Sequence, residues 1–441
     1  MKRLSVVGLG KLGACTASCF ASAGYEVIAV DLNKDYVDLI NKGETPIVEP
    51  RLREIITASS GRLKATQDFE EAILHCDITF LIVPTPSEPE GAFSDKYLKD
   101  ALKPLATSLR KNNKPYHQFV ITSTVSPGTT EENLIPLIEE YSGKKLNKGF
   151  FVCYNPEFIA LGSVINDFFN PDLLLIGESS NLAGDRLVGI YKNVCKNNPY
   201  IARMSIISAE IMKLSLNAYV TMKISFANSL ANICEKIPGA DIDAITKALG
   251  ADKRISSYFI KSGPPFGGPC FPRDNKAFIA FAKKYDQEAK LAKATEEVNE
   301  FQTTHLTEIV LKNLHGLNER RASILGLAYK PNTPIIDESP AIKIINELLK
   351  LNVKVTVYDP LAMDNTRVVF RDKIDYANSI KNCVSRSPLC VITTQESEFK
   401  TIDDTFLVHN PSILIDCWRI LDPSKFKKNV KYIAIGKRET L

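Results

Sequence analysis

The sequence predicts an α/β protein with two doubly wound parallel-sheet domains joined by a long central helix and a helical middle domain. Short apolar runs alternate with helical patterns over residues 1–200 and again after residue 319. A glycine-rich turn, Gly8-Leu9-Gly10-Lys11-Leu12-Gly13, follows the first apolar run and opens a helical pattern, which makes the sheet Rossmann-like. Between the two alternating regions, SIISAEIMKLSLNAYVTMKISFANSLANICEKI has no proline or glycine and repeats apolar residues at three- and four-residue steps. The implied domains are 1–200, 201–318 and 319–441.

Each element follows from its local pattern. Leu4 to Val7 reads as a buried strand, residues 12–23 as a helix of small apolar residues, and Gly24 as its cap. Glu26 to Val30 is the second strand and ends at Asp31. Ile78 to Pro84, Phe119 to Thr124, Phe150 to Tyr154 and Leu173 to Ile176 are further buried strands. The long helix covers about 206–236, and a second helical run covers about 286–316. Alternation then resumes with Ala322 to Leu327, a helix at 340–351, Lys354 to Tyr358, Leu389 to Thr393 and Ile413 to Asp416. No internal repeat or low-complexity tract is visible.

Composition narrows the function class. With 441 residues, 44% hydrophobic and 24% charged, the chain is an ordinary globular protein of about three domain-sized units. A net charge of +4 is too small to predict a nucleic-acid or polybasic membrane surface. Five histidines predict no histidine-built metal site. The ten cysteines are scattered without a CxxC pair, so they read as buried hydrophobes of a reducing, cytoplasmic compartment. The N-terminal MKRLSVVGLGKLGAC imitates a signal peptide, but Lys11 interrupts its apolar stretch. No run of 18 apolar residues predicts a membrane span.

Two motifs carry chemistry. In the first, Gly8 permits a tight turn, Gly10 lets the backbone approach a pyrophosphate, and Gly13 allows close helix–strand packing. Lys11 and Leu12 complete the turn, and the phosphates would rest on the helix N-terminus. Asp31 stands 21 residues after Gly10, where it would accept ribose hydroxyls and repel a 2′-phosphate. The cofactor is therefore read as NAD. The second motif is SGPPFGGPCFPRD, residues 262–274, in which Cys270 lies among glycines and prolines ahead of Arg273 and Asp274. A nearby cation favours a thiolate and a carboxylate can relay a proton, so this cysteine alone reads as a nucleophile.

These motifs resemble the UDP-glucose/GDP-mannose dehydrogenase family, over essentially the full length. INKGETPIVEP, VPTP, STVSPGTT, NPEFIALGS, AEIMKLSLNAY, GGPCFPRD, GLAYKPNTPIIDES and ILDP occur in the family's order. The resemblance implies oxidation of a nucleotide-sugar C6 alcohol to the carboxylate with two NAD, through a thiohemiacetal and a thioester on Cys270. It implies that Lys213 and Asn217, one turn apart on the long helix, stabilise the oxyanion at C6. Asp274 would act as a base through water, with Thr124 and Glu157 ordering the water and the proton relay. Thr85, Thr124 and Arg273 join the cofactor set. Glu157, Phe158, Leu161, Lys213, Asn217, Arg254, Lys261, Phe266, Gly267, Tyr329, Lys330 and Arg419 form the implied substrate set. Arg254 would reach a neighbouring subunit's site in a homodimer built on the central helix.

Four positions depart from the family pattern: Leu161 for a common Glu, Leu173 and Trp418 for common Arg residues, and Asp337 for another. Asn155 and Phe158 resemble the UDP-glucose and GDP-mannose branches more than those handling N-acetylated sugars. GDP-mannose or a UDP-N-acetylhexosamine stays open as substrate, and so does a single-step hydroxyacid dehydrogenase. The latter needs neither the cysteine loop nor the second α/β domain.

Overall fold

Apolar runs of four to six residues become the strands that organise the protein, described from a computed structural model covering residues 3–59, 61–317, 319–426 and 429–438. The chain divides into two units, Met1–Ser215 and Leu216–Leu441. In the first, β1 (Arg3–Val7), β2 (Glu26–Val30), β3 (Leu63–Thr66), β4 (Ile78–Leu81), β5 (Gln118–Ile121), β6 (Phe151–Tyr154), β7 (Leu173–Glu178) and β8 (Tyr200–Met204) form one sheet. Its order is β3-β2-β1-β4-β5-β6-β7-β8. Every residue of β4, β5 and β6 is buried, because apolar clusters cover both faces. Alternation divides the sides: Leu4 and Val6 of β1 enter one cluster and Val7 the other.

The sheet is parallel except at one junction. β7 pairs antiparallel with β6, and β8 runs parallel to β7. The connection between β6 and β7 holds only the short helix Val164–Phe169. That helix packs into the core beside Phe20, whose ring lies 5.2 Å from Phe168. The chain thus re-enters the sheet in the opposite direction, a reversal the run of apolar residues did not signal.

The second unit carries β9 (Arg321–Leu325), β10 (Lys354–Tyr358), β11 (Asp375–Tyr376), β12 (Leu389–Ile392), β13 (Ser412–Asp416) and β14 (Val430–Ala434), all parallel. Their order, β11-β10-β9-β12-β13-β14, repeats that of the first six strands. The corner after the first strand repeats too. Gly8 N donates to Val30 O at 2.7 Å and Gly326 N to Tyr358 O at 2.9 Å. The two sheets thus share one topology, as the two doubly wound domains expected from the sequence would. The two corners differ in one respect. Asp31 accepts backbone N–H groups of Leu9 and Asn33 at 2.5 and 2.7 Å. Asp359, fully buried, accepts four: Leu327, Ala328, Leu361 and Ala362 at 2.7, 3.1, 2.8 and 2.7 Å.

The central run forms the helix Ile206–Cys234, which passes through the division between the units. In the first unit Glu210 ties it down, accepting Gly128 N at 2.6 Å and Thr130 N at 3.0 Å. In the second unit, Ile242–Ala251, Phe271–Lys284 and Lys290–Leu314 are the further helices that matter below. Among the described residues, no helix is long and apolar enough to cross a membrane.

Candidate functional site

In the first unit the glycine turn separates what the fold requires from what it leaves open. A Cβ on Gly8, whose φ is +96°, would sit 2.5 Å from Ile82 O, and one on Gly13 would sit 1.8 Å from Gly8 O. Strand and helix therefore exclude any side chain at these two positions. A Cβ on Gly10 would meet no atom within 4 Å. Gly10 thus borders a free cradle, beside a helix, Gly13–Ser22, whose N-terminus no side chain caps. Such a helix start favours an anion, and Lys11 is exposed next to it. With Asp31 at the tip of β2, the residues fit a dinucleotide. The loops after β4 and β5 are joined by Thr85 Oγ1, which donates to Thr124 O at 2.7 Å, and by Ser123 Oγ, which donates to Val83 O at 2.7 Å.

The NPEF loop brings three of the expected residues together. Lys213 Nζ donates to Glu157 O at 2.8 Å and lies 4.6 Å from the Phe158 ring centre. Lys213 is buried, so its apolar helix face does have a partner. The Glu157 residue is only half-buried, but its Oε1 is enclosed and makes no hydrogen bond. Burial raises its pKa to about 7, against the opposing effects of the Lys213 charge and the nearby Tyr191 hydroxyl. Leu161 packs against the apolar core. The same loop is held by Glu49, which accepts Gly162 N at 2.8 Å and Val164 N at 2.9 Å. Sequence reasoning assigned Glu49 no role, because a loop carboxylate gives no sign of a backbone partner 113 residues away.

In the second unit Cys270 is the exposed cysteine, at the start of the helix Phe271–Lys284. Free N–H groups and the helix dipole favour negative charge there. The other nine are buried, apart from the half-buried Cys195. Burial pushes the Cys76 and Cys195 thiols up to about 11, and those of Cys153 and Cys383 to about 12. One turn into the Cys270 helix, buried Asp274 accepts Asn217 Nδ2 at 2.6 Å, and Arg273 Nε lies 3.8 Å from its other oxygen.

The Gly-Gly pair ahead of Cys270 packs backbone against the segment 329–338. A Cβ on Gly267 would lie 2.2 Å from Glu338 O, and one on Gly268, at φ +84°, 2.5 Å from the Tyr329 ring. Gly268 N donates to Asp337 O at 3.0 Å, so Asp337 contributes its carbonyl here. Lys330 Nζ lies 5.9 Å from the Tyr329 ring centre. Phe266 is buried and Lys261 exposed. Arg254 is highly exposed and pairs with Asp252 at 2.6 Å. Arg419, expected at the substrate, is instead occupied within this unit. Its Nε meets both Asp243 oxygens at 3.0 and 2.9 Å, and its other nitrogens donate to Ile435 O at 2.8 Å and Ser262 O at 3.0 Å. Trp418 donates Nε1–H to Thr393 O at 2.8 Å, and its ring covers Gly263. Among the described residues, no group of three or more His, Cys, Asp or Glu could hold a metal ion.

Three stretches match models of one family, the UDP-glucose/GDP-mannose dehydrogenases: residues 2–195 the NAD binding domain, 207–301 the central domain, 323–423 the UDP binding domain. A UDP-glucose 6-dehydrogenase of Haloferax volcanii is 38% identical over 421 residues, 95% of this chain and 97% of that one. A GDP-mannose 6-dehydrogenase of Pseudomonas putida is 31% identical, over 91% and 92%. A solved UDP-glucose dehydrogenase of the hyperthermophilic archaeon Pyrobaculum islandicum superposes with a TM-score of 0.91 at 32% identity, over 99% and 98%.

Proposed function

The chain belongs to the UDP-glucose/GDP-mannose dehydrogenase family and is an NAD-dependent oxidoreductase, and from that premise we propose that it oxidises C6 of UDP-glucose to give UDP-glucuronate, with Cys270 as nucleophile. The observation that carries the reading is Cys270 itself: one exposed thiol of ten, at a helix start, one turn before a buried aspartate.

NAD, when bound, would supply the hydride acceptor for both oxidations. Gly10 and the helix N-terminus would hold its pyrophosphate, and Asp31 would accept its ribose hydroxyls. Lys213 and Asn217 donate to the oxygen on C6 as charge develops there. Glu157, with a pKa of about 7, takes and returns protons at neutral pH. After the first oxidation Sγ of Cys270 adds to the aldehyde carbon, and the carbonyl oxygen gains a proton to give a thiohemiacetal. Loss of a hydride and that proton leaves a thioester. Water, deprotonated with help from Asp274, then breaks the C–S bond, releasing the carboxylate and the thiol.

UDP-glucose is supported by the 38% identity over 95% of the chain to a UDP-glucose enzyme, against 34% over 81% for a GDP-mannose enzyme. Residues 201–318 act as the dimerisation and substrate domain of a cytoplasmic homodimer. Tyr219, Phe226 and Ile233, exposed at seven-residue steps on the long helix, support a second copy as their cover. Light scattering that finds only monomer at micromolar concentration removes this inference.

The test is an NADH-release screen over UDP-, GDP- and N-acetylated sugars. UDP-glucose should give the highest kcat/KM and two NADH per sugar. A ratio of one favours a single-step hydroxyacid dehydrogenase. Cys270→Ser should stop uronate formation and leave NAD and nucleotide-sugar binding intact, and uronate formation by the serine enzyme near that of the parent would falsify the covalent role.

A further inference from the structure

Residues 262–268 are irregular backbone, yet all but Gly267 are buried. Buried peptide groups need partners, and among the described residues no strand pairs with this segment to supply them. Carboxamides on two helices do so instead. Asn299, buried on the helix Lys290–Leu314, accepts Phe266 N with Oδ1 at 2.7 Å and donates Nδ2–H to Phe266 O at 3.0 Å. One side chain thereby satisfies both polar groups of one residue, as a neighbouring strand would. Gln302 donates Nε2–H to Gly263 O at 3.0 Å while its Oε1 accepts Asn232 Nδ2 at 3.1 Å. Asn228, on the helix Ile206–Cys234, accepts Gly263 N at 2.9 Å.

Phe266 stands four residues before Cys270. The intervening chain has little slack, since Gly268 is bonded to Asp337 and Pro269 fixes its own φ. We propose that Asn299 is a positioning residue for the Cys270 thiol: its two hydrogen bonds to Phe266 set where Sγ waits for the aldehyde. The proposal rests on Cys270 being the nucleophile, and it separates two steps of the reaction. The first oxidation, of alcohol to aldehyde, does not use the thiol. A displaced thiol therefore lets the aldehyde escape after one NADH instead of lowering both oxidations together.

Asn299→Asp keeps the size and the acceptor but sets a second oxygen against Phe266 O. The full-length enzyme is given NAD and its preferred nucleotide sugar, with an aminooxy reagent to trap free aldehyde, and NADH and uronate are both measured. Asn299→Asp should raise NADH per uronate above two and increase trapped aldehyde about tenfold. Uronate formation should fall by up to about 10²-fold, the penalty of a misplaced reacting atom, with KM for NAD unchanged. A ratio held at two, with or without a lower melting temperature, means a structural role only and overturns the proposal. So does loss of both oxidations in a folded protein. If Asn299→Asp does not fold, Gln302→Glu carries the same prediction, because it removes the donor to Gly263 O and keeps the acceptor for Asn232. Cys270→Ser separates the two levels. If that enzyme forms uronate normally, the nucleophile reading fails; if it forms none while Asn299→Asp leaks no aldehyde, the positioning role alone fails.

Discussion

Substituting two glycines of the same turn should break two different things. In Gly13→Ala the new Cβ falls 1.8 Å from Gly8 O and 2.8 Å from Gly8 C, both backbone atoms that cannot swing aside. Overpacking of this kind costs about 1–3 kcal/mol, and so deep an overlap belongs at the upper end. At about 2–4 °C per kcal/mol for a unit of this size, the melting temperature should drop by about 6–12 °C. In Gly10→Ala the Cβ meets no atom within 4 Å, and Gly10 has no positive φ to lose. Stability should change by no more than about 0.5 kcal/mol. The methyl group would instead occupy space the pyrophosphate needs. Losing one charge-assisted hydrogen bond of about 1.5–3 kcal/mol weakens NADH binding about 10- to 100-fold. Thermal melting and a fluorescence titration of NADH, run side by side on both variants, decide the matter. A Gly10→Ala enzyme that binds NADH within twofold of the parent refutes the cradle. One that melts as low as Gly13→Ala refutes the claim that Gly10 serves only the ligand.

Glu157 should impose a pH dependence on stability as well as on rate. Its pKa lies near 7 in the folded chain against the ordinary 4.5 of a glutamate, so the folded state holds a proton that the unfolded state has released. Stability is therefore full below about 4.5 and falls by about 1.4 kcal/mol for each pH step of one as the pH rises towards 7. Denaturant titrations should show this slope in the parent and a flatter one in Glu157→Gln, and an equal slope in both refutes the assignment. Asp31→Asn should narrow the preference for NAD over NADP, measured as the ratio of kcat/KM values; unchanged discrimination sinks the ribose role.

Ten strands were legible in the sequence, and every one is interior to its sheet. The four that were not, β3, β8, β11 and β14, are the four edges. Interior strands are covered on both faces and read as unbroken apolar runs, whereas an edge such as Tyr200–Met204 or Val430–Ala434 is half-exposed and carries Arg203 or Lys431 within it. The site divides in a similar way. Gly8, Gly10, Gly13 and Asp31 are legible because a dinucleotide is held by backbone within one βαβ unit, so the spacing is local. The exposure of Cys270 is legible because a thiol among glycines and prolines has no core to fill. Glu49, Asn228, Asn299 and Gln302 were not legible. Each serves a backbone group 33 or more residues away, and a buried carboxamide on a helix looks like any other polar residue. Arg419, which the resemblance placed in the substrate set, meets within its own unit a partner 176 residues distant, another pairing the sequence does not show.

The duplicated corner at Asp359 bears on how two similar folds in one chain avoid competing for one ligand. A carboxylate offers about four lone-pair directions, and Asp359 fills them with four N–H groups of its own backbone. A ribose arriving there would find nothing left to bond. The proposed reaction must discharge and reload its dinucleotide twice for each sugar, so a decoy pocket in the same molecule would only hold cofactor idle. At this corner of the second sheet the carboxylate that would otherwise take a ribose is already satisfied, with no bulky side chain or repelling charge needed to close it.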